Sequence, residues 1–203
     1  MLHIDIGRCP VAEAATIVAD VLRRPGSVAV VPTETVYGVI SRVTDEGAER
    51  IYTLKHRSGS KRLGWFVDNL RMLEDHGVIL TPTVRGLARR FMPGALTVIA
   101  PTVDGGSIGV RMPDHPFLSA LLAEFGEPLL QTSANLSGAP DSLTLEDAIS
   151  GLDGEIDAAV DGGALPSGSL ASTVVDARTE EPRILRQGAL KLDLHDFMPD
   201  ADL

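Results

Sequence analysis

Four cations fall within one stretch of eight residues, Lys55-His56-Arg57-Ser58-Gly59-Ser60-Lys61-Arg62. No Asp or Glu occurs from Ile51 to Val67, in a chain whose formal charge is -10, so the sign of the charge is locally inverted. Glycine and serines between the cations let the backbone bend and expose N–H groups. Together with ammonium groups and planar guanidinium forks, that is chemistry suited to a triphosphate or a carboxylate. The same residues would also serve as a solvated turn after a helix, where cations favour the C-terminal dipole.

A second candidate is Gln131-Thr132-Ser133-Ala134-Asn135-Leu136-Ser137-Gly138, which follows the apolar residues Pro128 to Leu130. Several hydroxyls and amides before a glycine offer donors to an oxyanion or a nucleotide, or else local caps and Asx turns. Arg111 directly follows the run from Ser107 to Val110. A buried guanidinium needs a partner, so Arg111 is either ion-paired, with Asp114 the nearest candidate, or it clamps a substrate carboxylate. Ser172-Thr173 opens a further strand and Arg186 closes the one after it.

Other chemistries find less support. His3, His56, His76, His115 and His195 lack metalloprotease spacing and read as surface or capping residues. Ser58-Gly59-Ser60-Lys61 matches S-x-x-K and Ser133-Ala134-Asn135 matches S-x-N, two serine-acylase signatures, but K-T-G is absent. That nucleophile should open a helix, and the glycine and serine here make a poor helix start. There is no GxxxxGK[ST] and no strand-GxGxxG-helix unit, which argues against a P-loop enzyme and a dinucleotide dehydrogenase.

The elements that must position these residues follow from periodicity. Helical spacing predicts helices at Val11–Leu22, Asp45–Leu54, Asn69–Asp75, Pro82–Phe91 and Pro116–Glu124. Short β-branched or apolar runs predict strands at Val28–Val31, Leu63–Val67, Ala95–Ala100, Ile108–Arg111 and Leu129–Thr132. Late strands are expected at Ala158–Val160, Ser172–Asp176 and Arg183–Leu185. Asp153 to Ser169 reads as a loop around one of them. This alternation favours a mixed α/β sheet covered by helices.

At 203 residues the chain suits one domain, and 44% hydrophobic with 23% charged residues suits a globular one. The negative charge opposes non-specific attraction to nucleic acid and anionic membranes. Cys9 is the single cysteine, so no internal disulfide or cysteine zinc cage forms. No apolar run reaches the roughly 20 residues of a membrane span, and Asp5 and Glu13 stand where a leader would be basic and apolar. The reading is cytoplasmic, with no membrane partner.

Taken in order, the motifs resemble the YrdC-like family of threonylcarbamoyl-AMP synthases. They are Val31-Pro32-Thr33-Glu34-Thr35-Val36-Tyr37-Gly38, Lys55-x-Arg57, Pro93-Gly94, Val110-Arg111-x-Pro113-x-His115-Pro116, Ser133-Ala134-Asn135-x-Ser137-Gly138, Ser172-Thr173-Val174-Val175-Asp176 and Leu185-Arg186-x-Gly188. The resemblance implies a twisted sheet of mixed parallel and antiparallel strands covered by helices. It forms one YrdC-like domain over residues 1–190, followed by a frayed acidic tail at 191–203. Departures are Ser58 for proline, Arg62 for proline or glycine, Phe66 for a substrate-contacting histidine of some members, Ile40 for glycine and Met92 for tryptophan.

What the resemblance implies about function is specific. L-threonine, bicarbonate or carbon dioxide, and ATP would form L-threonylcarbamoyladenylate and pyrophosphate, the first step of N6-threonylcarbamoyladenosine tRNA modification. By matching positions, the catalytic tetrad is Lys55, Arg57, Ser133 and Asn135, and threonine would be held by Thr35, Arg111 and Ser172. ATP would meet Lys55, Arg57, Lys61, Ser133 and Asn135 around its phosphates, with Ser107, Thr144 and Arg186 more peripheral. Magnesium would ride on the triphosphate, with no protein metal cage. Implied partners are the downstream tRNA-modifying threonylcarbamoyl transferase proteins, with tRNA itself bound weakly or indirectly. The alternatives are a YciO-type nucleotide- or RNA-binding paralogue with weak or altered activity, a carbamoyladenylate-forming domain independent of threonine, and the serine acyl-enzyme hydrolase.

Overall fold

The computed structural model describes residues 1–59 and 62–194. Within them lies one ten-stranded sheet with six helices. The strands are β1 (Leu2–Asp5), β2 (Val28–Val31), β3 (Gly38–Arg42), β4 (Gly64–Phe66), β5 (Leu96–Pro101), β6 (Ser107–Arg111), β7 (Leu129–Ser133), β8 (Ala158–Asp161), β9 (Thr173–Asp176) and β10 (Arg183–Arg186). The helices are α1 (Val11–Leu22), α2 (Asp45–Leu54), α3 (Leu70–Asp75), α4 (Pro82–Phe91), α5 (Pro116–Phe125) and α6 (Leu145–Ser150).

Spatial order is β1-β8-β2-β3-β7-β4-β6-β5-β9-β10. Parallel pairs (β1/β8, β2/β8, β4/β6, β5/β9) mix with antiparallel ones (β2/β3, β3/β7, β4/β7, β5/β6, β9/β10), as expected for this α/β class. Helix starts are set locally. The Thr44, Thr81 and Asn69 side chains accept hydrogen bonds from Gly47, Val84 and Met72 N–H, satisfying donors the helix cannot use itself. Helix α5 stops at Gly126, whose φ of 77° is a left-handed conformation that costs glycine little.

The two halves of the sheet are covered differently. In β2, Ala29 and Val31 face a core with α1 and α5, while Val28 and Val30 face another with α2 and α6. Period-2 alternation therefore buries both faces there, which explains the unbroken apolar run. In the other half, Leu96, Val98 and Ala100 of β5, Val110 of β6 and Val175 of β9 pack on residues of α3 and α4. Their neighbours Thr97, Ile99, Ser107, Gly109, Arg111 and Val174 turn to the opposite face, and no helix covers them: they line a cavity.

Three elements escape the periodicity. Strand β1 is four residues at the sheet edge, β3 runs on from the polar Pro32–Tyr37 loop, and α6 spans less than two turns. The acidic tail also begins later than expected, because Leu192 is buried in the third core with Leu190 and Leu194 against it. The remainder of that tail, with His195, lies outside the described residues.

Candidate functional site

The cavity measures about 470 Å³ and is walled by β3, β4, β5, β6, β7 and β9 and the loops that leave them. Five arginines line it, Arg57, Arg62, Arg111, Arg178 and Arg186, and among the described residues no carboxylate does. In a chain of net charge -10 that is a strong local segregation of sign. Small residues keep the floor low. A Cβ at Gly64 would stand 2.6 Å from the Gln131 amide nitrogen and 2.9 Å from the Gly109 carbonyl oxygen, so one methyl group would force rearrangement.

One end of the hollow is built around Arg111, whose side chain is 5% exposed. Its Nη2 meets Glu34 Oε1 at 2.8 Å and donates to Thr35 Oγ1 at 3.0 Å, while Nε donates to the Gly94 carbonyl at 3.2 Å. Three of five N–H donors are thus spent on protein, leaving the two on Nη1 for a ligand carboxylate. The guanidinium also lies 5.7 Å from the Phe66 ring centroid. Its ion-pair partner is therefore Glu34 and not Asp114, whose backbone N–H instead donates to the same Glu34 Oε1 at 3.0 Å.

The Pro32–Tyr37 loop is rigid for a local reason. Thr33 Oγ1 accepts from the Thr35 and Val36 N–H groups and donates to the Val36 carbonyl at 2.7 Å. Its only proton is so used, and the 2.8 Å contact between the two hydroxyls must run from Thr35 to Thr33. Thr35 Oγ1 then accepts from Arg111. Across the hollow, Ser172 Oγ lies 2.8 Å from Thr97 Oγ1, and Arg186 grips the Ser172 carbonyl through Nε and Nη2 at 3.1 and 2.8 Å. Gly188 lets the chain fold back here: a Cβ would sit 2.1 Å from the Ala171 carbonyl oxygen.

Lys55 stands behind the wall rather than in it. Its residue is 1% exposed and its ammonium donates to the Ser133 carbonyl and to both oxygens of Asn135, the carbonyl and Oδ1. Ser133 Oγ donates to Asn135 Oδ1, and Asn135 Nδ2 to the Ala139 carbonyl. Burial, and next the like charge of Arg57, pull the Lys55 ammonium down to about 8, with Asp141 opposing. Lys55 is thus not among the residues that line the cavity: it orders the loop that presents Ser133, and Asn135 shares that layer.

Of the sequence-predicted site residues, Arg57, Ser107, Arg111, Ser133, Ser172 and Arg186 line the one cavity, and Thr35 bonds directly to Arg111. Lys61 lies outside the described residues. Thr144 is not among the cavity residues; its hydroxyl caps α6 by accepting from Asp147 N–H. Two cations were missed as site residues. Arg62 donates to the Ser107 carbonyl at 2.7 Å, and Arg178 docks bidentately on Asp176 at 2.9 and 2.6 Å. Arg178 lies two residues past the end of β9, close to the strand-end positions that Arg111 and Arg186 hold in β6 and β10, and this signal was legible. His115 is half-buried at the N-cap position of α5, where its carbonyl accepts from Ser119 N–H and its side chain makes no cap bond. Ser58 opens no helix, which removes the support for an acyl-enzyme.

A mixed α/β sheet with one face left open as an arginine-lined hollow defines the class, and the Sua5_yciO_yrdC family model, described as "Telomere recombination", matches residues 21–188. The chain belongs to that family. Among its relatives, the threonylcarbamoyl-AMP synthase of Bacillus subtilis is 37% identical over 184 residues, which cover 85% of this chain and 53% of the relative. The chain thus spans about half the length of the first curated relatives it matches. The crystal structure of P. abyssi Sua5 complexed with L-threonine superimposes with a TM-score of 0.80 at 29% identity, over 91% of this chain and 56% of that one. E. coli YciO gives 0.80 at 25% identity, over 97% of both chains.

Proposed function

We propose that this chain makes L-threonylcarbamoyladenylate and pyrophosphate from L-threonine, bicarbonate or carbon dioxide, and ATP. The observation that carries the reading is the juxtaposition of the buried Arg111, bonded to Thr35, with four further arginines in one hollow. The name of the B. subtilis relative and the threonine bound by P. abyssi Sua5 support it.

The chemistry asks for little beyond placement. The neutral threonine amine attacks the carbon of carbon dioxide and loses a proton, giving a carbamate. A carbamate oxygen then attacks the α-phosphorus of ATP and pyrophosphate leaves. Neither step needs a covalent enzyme nucleophile. Holding three small reactants together is worth up to roughly 7 to 11 kcal/mol, and fixed cations oppose the charge that crowds in the transition state. In this reading Arg111 takes the threonine carboxylate through Nη1, with Thr35 and Ser172 beside it. Arg57, Arg62 and Ser133 face the phosphates, and Lys61, Ser107 and Arg186 complete the nucleotide's surroundings. Magnesium would ride on the triphosphate, since the described lining offers it no carboxylate.

The product would pass to tRNA-modifying threonylcarbamoyl transferase proteins, in the cytoplasm. Among the described residues no helix is long and apolar enough to cross a membrane. The test is pyrophosphate release from ATP with bicarbonate, with threonine present, absent or replaced by serine. Release that requires threonine is the expected result, and release indifferent to it would overturn the reading; carbamoyl transfer would instead show as release that requires added carbamoyl phosphate and not threonine. A second reading, a YciO-type paralogue with altered activity, is favoured by the end-to-end match to E. coli YciO and by Phe66 lining the cavity. No turnover with threonine, but retained nucleotide binding, is its signature.

A further inference from the structure

We infer that Glu34 is the positioning residue that sets the orientation of Arg111, and through it the affinity for the amino acid. This rests on the threonine reading above and names a residue that reading does not use.

Glu34 is not among the residues that line the cavity, and the bond that links it to the site is the one to Arg111. It stands behind Arg111, where Oε1 takes Nη2 at 2.8 Å and also accepts the Asp114 N–H at 3.0 Å. One oxygen therefore ties the β6 strand end to the loop that follows it and to the Pro32–Tyr37 loop. A guanidinium that is 5% exposed cannot drift in water; its direction is set by what it bonds. Of its three protein partners, the Thr35 hydroxyl and the Gly94 carbonyl are neutral, and Glu34 is the only charged one among the described residues. The geometry has a further consequence: by occupying Nη2, Glu34 and Thr35 leave Nη1 as the edge that meets the ligand.

Glu34 Oε2 is buried without a hydrogen-bond partner among the described residues, and so is His115 Nδ1. The Glu34 contact is the charge-assisted one of the three, so it is the one that most strongly fixes the direction of the fork. A neutral group of the same shape would then fill the space without fixing the fork.

The experiment is threonine and ATP titration, by calorimetry and by initial-rate kinetics, on wild type, E34Q, E34D, R111A and the double variant E34Q/R111A. Expected for E34Q is roughly a tenfold or larger loss of threonine affinity, the scale of one charged hydrogen bond, with ATP affinity within about twofold and a cooperative melt. E34D keeps the charge on a shorter stem, covers the case of E34Q failing to fold, and should also bind threonine several-fold more weakly. In the R111A background E34Q should add nothing, because a residue acting through Arg111 has nothing left to orient. Threonine affinity equal to wild type in folded E34Q or E34D, or equal loss for ATP and threonine, would overturn the inference. A wild type that binds ATP but not threonine would overturn the parent reading as well, a result distinct from either.

Discussion

The two ends of the cavity hold their arginines by different means. At the closed end Arg111 is buried and faces a carboxylate, Glu34, with a hydroxyl and a carbonyl beside it. Toward the open end the described acceptors are carbonyls, that of Ser107 for Arg62, of Arg62 for Arg57 and of Ser172 for Arg186, and the one described carboxylate acting on them by charge is Asp104, near Arg62. A carboxylate partner fixes direction but cancels charge, whereas carbonyl partners orient a cation and leave its field intact. The closed end is thus suited to a single carboxylate recognised by geometry, and the open end to a polyphosphate recognised by charge. If so, variants at the closed end should disturb selectivity and folding, and variants at the open end should disturb nucleotide affinity and its salt dependence.

The largest effect is expected at Arg111. R111A removes the cation of the recess and strands the Glu34 carboxylate beside the Asp114 amide. Loss of one partner of a buried pair costs about 3 to 5 kcal/mol, with the lower end expected for a carboxylate that is partly exposed. Threonine-dependent pyrophosphate release should fall by two orders of magnitude or more, on the scale of a lost charged contact. R111K keeps the charge but not the fork. It should melt close to wild type and still need at least about tenfold more threonine. A lysine variant with wild-type threonine KM would show that charge alone matters at this end, and the contrast with the open end would dissolve.

Next in size is Arg57. R57A should cost about 1.5 to 3 kcal/mol in kcat/KM for ATP, as one charge-assisted contact does. Little change in melting temperature is expected, because its described acceptor is a loop carbonyl. The wild-type rate should also fall with added salt while threonine KM stays level. Equal salt sensitivity in both substrates would break the comparison.

These distinctions were unevenly legible in the sequence. Lys55, Arg57, Ser133, Asn135, Arg111, Ser172 and Arg186 could be named because their motifs, taken in order, resemble those of one family, whereas each stretch alone left a structural role open. Thr97, Ile99 and Gly109 could not be separated from core positions, since only the sheet's register shows which side of β5 and β6 faces the hollow. Strand β3 was hidden because Val39 to Arg42 follow a loop of hydroxyls and a carboxylate, with the pairing partner β2 supplying the evidence. The Glu34 pairing spans from residue 34 to 111, a separation no local pattern encodes, and Asp114 was the natural guess by proximity. The placement of Lys55 was hidden for a related reason: a cation in a basic run reads as ligand-facing until its ammonium is seen on Ser133 and Asn135.

That placement makes Lys55 a test of how the open end is built. Its ammonium titrates at about 8 in the folded chain against 10.5 for the ordinary group. Between those values the unfolded chain holds the proton and the folded chain does not. Stability from this group therefore rises with pH across that window. Activity should move the other way. Above pH 8 the amine keeps two donors for three oxygens, the Ser133 to Asn135 loop loosens and the wall loses a positive charge. Pyrophosphate release should decline with a midpoint near 8 while the melting temperature holds or rises, a divergence absent in K55M. Parallel loss of both would assign the pH limb to another group.

The smallest effect belongs to Arg178, and it separates lining from function. Its guanidinium lines the hollow as those of Arg57 and Arg62 do, yet it is 51% exposed and clasped by both oxygens of Asp176. The hydrogen bonds and charge of Arg178 in turn hold the Asp176 carboxyl below the usual range. By the rule that a carboxylate partner cancels field, Arg178 should contribute little to a polyphosphate despite its position. R178A should raise ATP KM by no more than about two- to fivefold, the scale of an exposed, screened ion pair, and leave threonine KM unchanged. D176N is the sharper arm, because freeing the guanidinium from its counter-charge should tighten ATP binding slightly at low salt. A loss in R178A as large as that in R57A would show that position in the cavity, and not the partner's charge, decides what each arginine does.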